Sequence, residues 1–420
     1  MSRFANFGRH RNLLIGASFA AILTGLGVGA MTMEKAATAA APAGDMAPKF
    51  EVDPLWPKPL PNHWVLGSAI GVWVDSDDHV WIVHRSTATL AAAEKTLETK
   101  DGECCAGAPP VLEFDQAGNL LRHWGGPGQG YEWPDSNHGI YVDHKGNVWI
   151  GGNGGPDSHV LKFTKDGKFI AQYGKKGARR KAGAAAGKNE GDVAGFVGGS
   201  NDPVSFGRVA KIFVDAQANE AYLSDGYLNK RVAVLDGDTG TMKRYWGAYG
   251  NKPDDAPMPA YDPNAPLAQQ FRNPVHCADL SVDRMLYVCD RVNNRIQVFT
   301  PEGKFVKEQV YTKDTKNAGS VWDVAFSKDP QQRYLYVADG VNEKVKIIDR
   351  QTLKELTNFG DGGRQPGQFY GVHSIATDSK GNVYTTETYE GKRVQRFLFK
   401  GVAPVTTLNQ GAAGVWPGAK

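Results

Sequence analysis

Past its N-terminal 40 residues the chain has no stretch that reads as a long amphipathic helix, and it has no basic stripe. The first absence leaves short strands as the building material. The second, with a net charge of only +3, argues against nucleic acid as a partner. Cysteine is scarce, at 4 residues in 420, and no C-x-x-C pair occurs, so thiolates are not the ligands of any metal here. No cysteine stands near the end of the N-terminal apolar run, which argues against a lipoprotein.

What is present is turn chemistry, with 50 Gly and 23 Pro. Short apolar-alternating runs recur between Gly, Asn and Asp, which predicts an all-β chain. A length of 420 residues ordinarily suggests two or three domains, but a propeller uses nearly as many in one. The N-terminus differs. Arg3, Arg9 and Arg11 precede an apolar Ala/Gly-rich run from Leu13 to Met33, and Ala37-Thr38-Ala39 follows. This predicts a secretory signal peptide within residues 1–40 and a periplasmic or secreted protein. The run is long for a signal, so an uncleaved anchor is the alternative, and a membrane is expected as a partner only in that case. Export permits disulfides. Cys277 and Cys289 flank a hairpin turn near Asp283-Arg284 and are expected to bridge. The adjacent Cys104 and Cys105 either form a vicinal bridge or stay reduced in a loop.

The remainder is a repeat. Each unit reads as four strands, as in Gly139–Asp143, Asn147–Gly151, His159–Thr164 and Lys168–Tyr173, with Asp166-Gly167 as a hairpin turn. Six such units predict a six-bladed β-propeller of NHL-type repeats over residues 47–402, followed by a tail over 403–420. The sixth unit shows only three strands. Phe50–Leu55 is expected to supply the fourth and close the ring, which removes exposed sheet edges. Asp75, Asp143, Asp215 and Asp378 end the inner strands and read as turn formers. Ser86–Ala108, Gly174–Gly207 and Gly250–Asn273 interrupt the rhythm as surface loops.

One register position carries chemistry. The inner-strand phrase holds His138, His276 and His373 in blades two, four and six, and Ile70, Ala210 and Trp322 in the others. Alternate blades would bring three imidazoles to the axis, which suits a tetrahedral metal with one open position. The geometry requires ring nitrogens within about 5 Å of one another, against metal–nitrogen bonds of about 2 Å. Any one histidine at a strand start is more often a structural hydrogen-bonding residue; it is the shared register that favours a metal. The residue after each second strand lies at the same mouth. Arg85 and Arg291 occupy equivalent slots in blades one and four, and Tyr227 lies one residue past that slot in blade three. The arginines offer planar forks to a carboxylate. The phenol, beside a metal and two cations, is expected to have a lowered pKa and to act as a general base. The histidines His63, His79, His123, His144 and His159 share no register and read as surface or core residues. His84, next to Arg85, is expected near the mouth.

These phrases resemble the lyase domain of peptidylglycine α-amidating monooxygenase, the peptidyl-α-hydroxyglycine α-amidating lyase, over roughly residues 65–400. His138 in Asn-His-Gly-Ile, His276 and His373 fall on that family's zinc histidines. Val83-His84-Arg85 looks like its Phe-His-Arg. Ser224-Asp225-Gly226-Tyr227 looks like the phrase that carries its catalytic tyrosine. Asp290-Arg291-Val292-Asn293-Asn294-Arg295-Ile296-Gln297 is similar to the phrase that carries its second arginine. The resemblance implies a zinc-dependent lyase that splits an N-substituted α-hydroxyglycine into an amide and glyoxylate, on a small-molecule or peptide α-hydroxy acid substrate. It also implies a structural calcium, but Ser374 stands where the family has an aspartate ligand. Leu228 stands where a family cysteine would follow the tyrosine. No copper monooxygenase domain precedes the propeller, so the hydroxylated substrate is expected from elsewhere. Two other readings stay open on the residues alone. One is a metal-dependent lactonase or hydrolase, whose propeller sites usually surround calcium with carboxylates. The other is a non-catalytic periplasmic scaffold.

Overall fold

The computed structural model describes residues 44–178 and 199–411. The expected signal peptide over residues 1–40, the stretch 179–198 of the second long loop and residues 412–420 lie outside the described residues.

Six four-stranded sheets follow one another along the chain. Their inner strands are Ala69–Val74, Asn137–Val142, Val209–Asp215, Val275–Leu280, Asp323–Phe326 and Val372–Thr377. Each is followed by an antiparallel second strand, so the chain returns to the end at which it entered. The second strands alternate in the same register in all blades. That register places Trp81, Trp149, Tyr222, Tyr287, Tyr336 and Tyr384 in the seams, each less than 2 % exposed. Truncating one such aromatic to alanine costs about 3–5 kcal/mol. Every pair of neighbouring blades shares an apolar cluster, and one of these joins Val72, Val80 and Ile82 of blade one to Ala376 and Tyr384 of blade six. The ring is therefore closed, and the molecule is a six-bladed β-propeller.

The aspartates that end the inner strands do two jobs. One oxygen caps the turn, as Asp75, Asp143 and Asp378 accept the N–H of His79 (3.0 Å), Asn147 (2.8 Å) and Asn382 (2.9 Å). The other accepts from the seam aromatic, at 3.0 Å for Trp81, 2.9 Å for Trp149 and 3.0 Å for Tyr384. Asp215 caps Gln217 N–H at 2.9 Å and pairs with Arg284 at 2.7 Å.

Closure differs in register from the expectation. The fourth strand of blade six is Met46–Asp53, beside Arg393–Pro404, and not Phe50–Leu55. Pro54 has no N–H to give to a ladder. Asp53 ends the strand by accepting the N–H of Leu55 at 3.2 Å and pairing with Arg396. Further on, Leu408 and Gly411 carbonyls accept the N–H groups of Asn358, in the outer strand of blade five, and of Gly360 just past its end, each at 2.8 Å. Both cysteine pairs are bonded: Cys277 to Cys289 across paired strands, and Cys104 to Cys105 in the loop of blade one. No helix among the described residues is long and apolar enough to cross a membrane.

Candidate metal centre

In five blades the pairing of the inner strand slips at one place, around Ile70, Gly139, Ala210, His276 and His373. An unpaired residue in a ladder turns its groups away from the neighbouring strand, and such bulges collect at functional sites. Here they face the axis. Blade two uses glycine for this. Gly139 has φ +67°, and a Cβ there would collide with the Ala210 carbonyl oxygen.

The histidines and the matched residues work in pairs across blades. Nδ1 of His138 contacts the carbonyl of Ala210 at 2.6 Å, that of His373 contacts Ile70 at 2.6 Å, and that of His276 contacts Trp322. Each acceptor is the register-matched residue of the next blade. A carbonyl can only accept, so each Nδ1 carries the hydrogen and each Nε2 presents a lone pair. Ring centroids lie 5.1, 4.8 and 4.8 Å apart, and the three histidines offer ligand atoms within 4.8 Å of one another. The side chains are 1, 2 and 3 % exposed. Burial holds all three well below the ordinary imidazole pKa, with Arg291 adding to the effect on each of them. They are neutral bases.

Tyr227 reaches this point because Gly226 lets blade three lie against blade four; a Cβ on Gly226 would collide with the Val275 backbone. The phenol oxygen is 3.0 Å from Nε2 of His138 and 3.0 Å from Nε2 of His276, and it accepts from Arg291 Nη1 at 3.2 Å. One hydroxyl hydrogen thus faces two imidazole lone pairs. The expected lowering of its pKa is corrected for the protein alone. Burial is the largest influence and pushes the phenol above its ordinary value; Arg291 and Arg85 oppose it without prevailing.

The two guanidiniums are present at the same mouth. Arg291 is buried, donates from Nε to Ala318 O at 2.8 Å and stacks 3.8 Å over Trp322. Arg85 donates to Asn153 Oδ1 at 2.9 Å, and its buried Nε has no partner. Burial pulls the Arg85 pKa down. Among the described residues neither forms an ion pair. Asp157, whose field reaches Arg85, accepts instead from the backbone of Asp135, Ser136 and Gly154. The mouth therefore combines bases short of donors with cations short of acceptors.

His84 is not brought to the cluster. Its Nδ1 accepts the N–H of Gly67 (3.0 Å) and Ser86 (3.1 Å), and Nε2 donates to Pro109 O at 2.9 Å. Burial lowers it to about 4. With both nitrogens used, it braces blade one and has no lone pair to offer.

The donor set fits one zinc-like ion: three neutral imidazoles of the correct tautomer, with the Tyr227 oxygen beside two of them. A second ion fits poorly. Cys277, Asp279 and Asp323 also converge, but the Cys277 sulfur is in a disulfide. Lys211 Nζ already stands between the carboxylates, 3.0 Å from Asp279 and 2.5 Å from Asp323, and Ser374 Oγ donates to Asp323 at 2.6 Å. Sequence reasoning missed Asn153, Lys211, Asp323 and the three carbonyl acceptors. For Asn153 a signal existed, since it occupies in blade two the slot that Arg85 occupies in blade one.

Fold and site together define a six-bladed β-propeller with a buried three-histidine cluster on its axis. No protein-family model matches the chain, and no curated protein matches it. Solved structures of similar shape include a streptogramin B lyase, 14 % identical, covering 85 % of this chain and 98 % of its own, with a TM-score of 0.45. A virginiamycin B lyase from Staphylococcus aureus, in a catalytically inactive form with quinupristin, is 13 % identical over 86 % of this chain and 89 % of its own, at 0.43. A Bacteroides thetaiotaomicron protein of unknown function is 13 % identical over 81 % and 70 %, at 0.47. Similarity at this level carries no argument about activity.

Proposed function

We propose that this chain is an exported, zinc-dependent lyase that cleaves the C–N bond of an N-substituted α-hydroxyglycine, or a related α-hydroxy acid, to an amide and glyoxylate. The single observation that carries the reading is the mismatch at the mouth: three imidazole lone pairs, two of them sharing one phenolic hydrogen, beside two guanidiniums that among the described residues have no carboxylate partner. A cation and an anion are both wanted within one pocket, and an α-hydroxy acid bound to a metal supplies the anion. The resemblance of the phrases around His138, Tyr227 and Arg291 to the α-hydroxyglycine lyase domain supports the same class. The two disulfides support an oxidising compartment.

His138, His276 and His373 would hold the ion, which when bound acts as a Lewis acid and makes a substrate hydroxyl more acidic. Arg85 and Arg291 hold the carboxylate by charge-assisted hydrogen bonds and keep it there as negative charge develops. Asn153 fixes the Arg85 fork. With the ion held beside it and the two guanidiniums near, Tyr227 would lose its own proton first and, as the phenolate, take the hydroxyl proton. The C–O bond becomes a carbonyl, the C–N bond breaks with its electron pair going to nitrogen, and Tyr227 returns the proton to the departing amide. No nucleophile from the chain is required.

The test pairs elemental analysis with chemistry. Purified protein should hold about one zinc per chain and release glyoxylate from α-hydroxyhippurate. Calcium as the sole metal would favour a lactonase instead. Zinc without glyoxylate would retain the metal site and remove this substrate class.

A further inference from the structure

We infer that Lys211 is a resident cation of the propeller axis, standing where a divalent ion would otherwise bridge Asp279 and Asp323, and that it positions the strands that aim the three histidines. Lys211 is a positioning residue, since it acts through other groups. The inference concerns the axis below the histidines and builds on the metal reading only for one of its measurements.

The geometry is a clamp across consecutive inner strands. Lys211 belongs to blade three, Asp279 to blade four, Asp323 to blade five and Ser374 to blade six. The ammonium reaches both carboxylates, and Asp323 also accepts from Ser374 Oγ, from Ile375 N–H at 3.0 Å and from Val324 N–H at 2.9 Å. Lys211 is 5 % exposed, and the two aspartates are 3 and 2 % exposed. Three of the four members adjoin the histidine layer. Ala210, before Lys211, gives the carbonyl that orients His138; Trp322, before Asp323, gives the one that orients His276; Ser374 follows His373. A small cavity is lined by Lys211, Asp323 and Ser374 together with the three histidines. Two carboxylates, a hydroxyl and the Val324 carbonyl, 3.4 Å from the ammonium, form a hard-ligand set that would take calcium if the ammonium were gone.

The test uses Lys211→Ser, which leaves room and both carboxylates, and Lys211→Met/Asp279→Asn, which removes the ammonium and one carboxylate together. Melting temperatures are read on zinc-stripped protein with chelator or with millimolar calcium, and zinc affinity is read by competition with a chromophoric chelator. Lys211→Ser should melt lower by on the order of ten degrees, because one partner of a buried charge cluster is lost. Calcium should restore most of that loss, and should leave the wild type and the double variant unmoved. Zinc affinity of Lys211→Ser should fall about 10–100-fold, as for other residues that orient metal ligands, and recover with calcium. Recovery of soluble Lys211→Ser only when calcium is present would support the inference equally. It is overturned if calcium does nothing for Lys211→Ser, or shifts the wild type as much. It is also overturned if Lys211→Ser stays insoluble with calcium while the double variant folds. A wild type that binds no zinc would remove the proposed function but leave the melting comparison fully readable.

Discussion

The upper and lower halves of the axis are made from the same strands and are finished to different degrees. Below, Lys211, Asp279, Asp323 and Ser374 satisfy one another with groups the chain itself supplies. Above, two of the three imidazoles share one phenolic hydrogen, and among the described residues Arg85 and Arg291 have no acid to pair with. A buried polar group left without a partner costs about 1–3 kcal/mol, and more when charged. Of the two halves, the upper one carries the unpartnered hydrogen-bonding group, Arg85 Nε. The difference locates where an ion and an anion have to arrive, and it separates a site from a structural core by donor and acceptor count.

The sharpest way to break the contrast is to remove one imidazole. His276→Ala should lose the bound zinc and all glyoxylate release while the propeller still folds, because the removed ring touches only the Trp322 carbonyl and the Tyr227 hydroxyl by hydrogen bonds and neither contact belongs to the strand ladder. The readings are metal content and circular dichroism. If zinc stays at the wild-type level, the triad is not the ligand set. The matching change outside the axis, His84→Ala, should do the opposite. It should leave zinc in place and cost about 2–4 kcal/mol of stability, since Gly67, Ser86 and Pro109 all lose their partner.

Next in size is Tyr227→Phe. The phenol reaches two ligating nitrogens and Arg291 but is not itself needed to hold the ion. Zinc content should be unchanged and kcat should fall about 10²–10⁴-fold, the usual worth of a positioned proton carrier. The pH–rate profile should lose the limb that reports the phenol. An unchanged profile would rule Tyr227 out as the proton carrier. Arg85→Met or Arg291→Met should act mainly on KM, raising it about 10–100-fold through the loss of one charge-assisted hydrogen bond to the substrate carboxylate. An effect confined to melting temperature would reassign those arginines to the scaffold.

How much of this was readable beforehand follows from what each feature is made of. Strand alternation, the seam aromatics and the turn aspartates are side-chain patterns, so six blades and the register of His138, His276 and His373 could be taken from the residues. The bulges that aim them could not. They are slips in backbone pairing, and only Gly139 leaves a trace of one. The three carbonyls that fix the imidazole tautomer belong to Ile70, Ala210 and Trp322, and a carbonyl has no residue identity to read. Lys211 was invisible for another reason. In Val209-Ala210-Lys211-Ile212-Phe213 a lysine reads as a solvated strand residue, because a buried ammonium is identified only by the carboxylates that other blades bring to it. His84 misled for the same cause in reverse: beside Arg85 in sequence, its ring nitrogens are taken by backbone groups of its own blade.

The smallest predicted effect tests the lower half by itself. One ammonium cannot neutralise two carboxylates, so a surplus negative charge remains in a buried place. Asp323 has Ser374 Oγ and the N–H groups of Val324 and Ile375 to stabilise its charge; Asp279 has Lys211 as its sole side-chain donor. The nearby Tyr141 hydroxyl is committed to Val214 O at 3.0 Å. Burial, the leading influence, accordingly raises Asp279 from 3.8 to about 7 against the pull of Lys211. A carboxyl raised in the folded state holds its proton there more tightly than in the unfolded chain. Its contribution is therefore most favourable below the unfolded value and is lost as pH climbs toward 7. A neutral carboxamide in place of this carboxyl would carry no such loss. Measured on zinc-stripped protein, Asp279→Asn should be near neutral at pH 5 and should gain on the wild type by about 2 kcal/mol by pH 8. Asp323→Asn, which breaks a well-satisfied charge, should instead cost about 3 kcal/mol throughout that range. Equal effects of the two substitutions would mean that the surplus charge is shared and that the lower axis is not as self-sufficient as its hydrogen bonds imply.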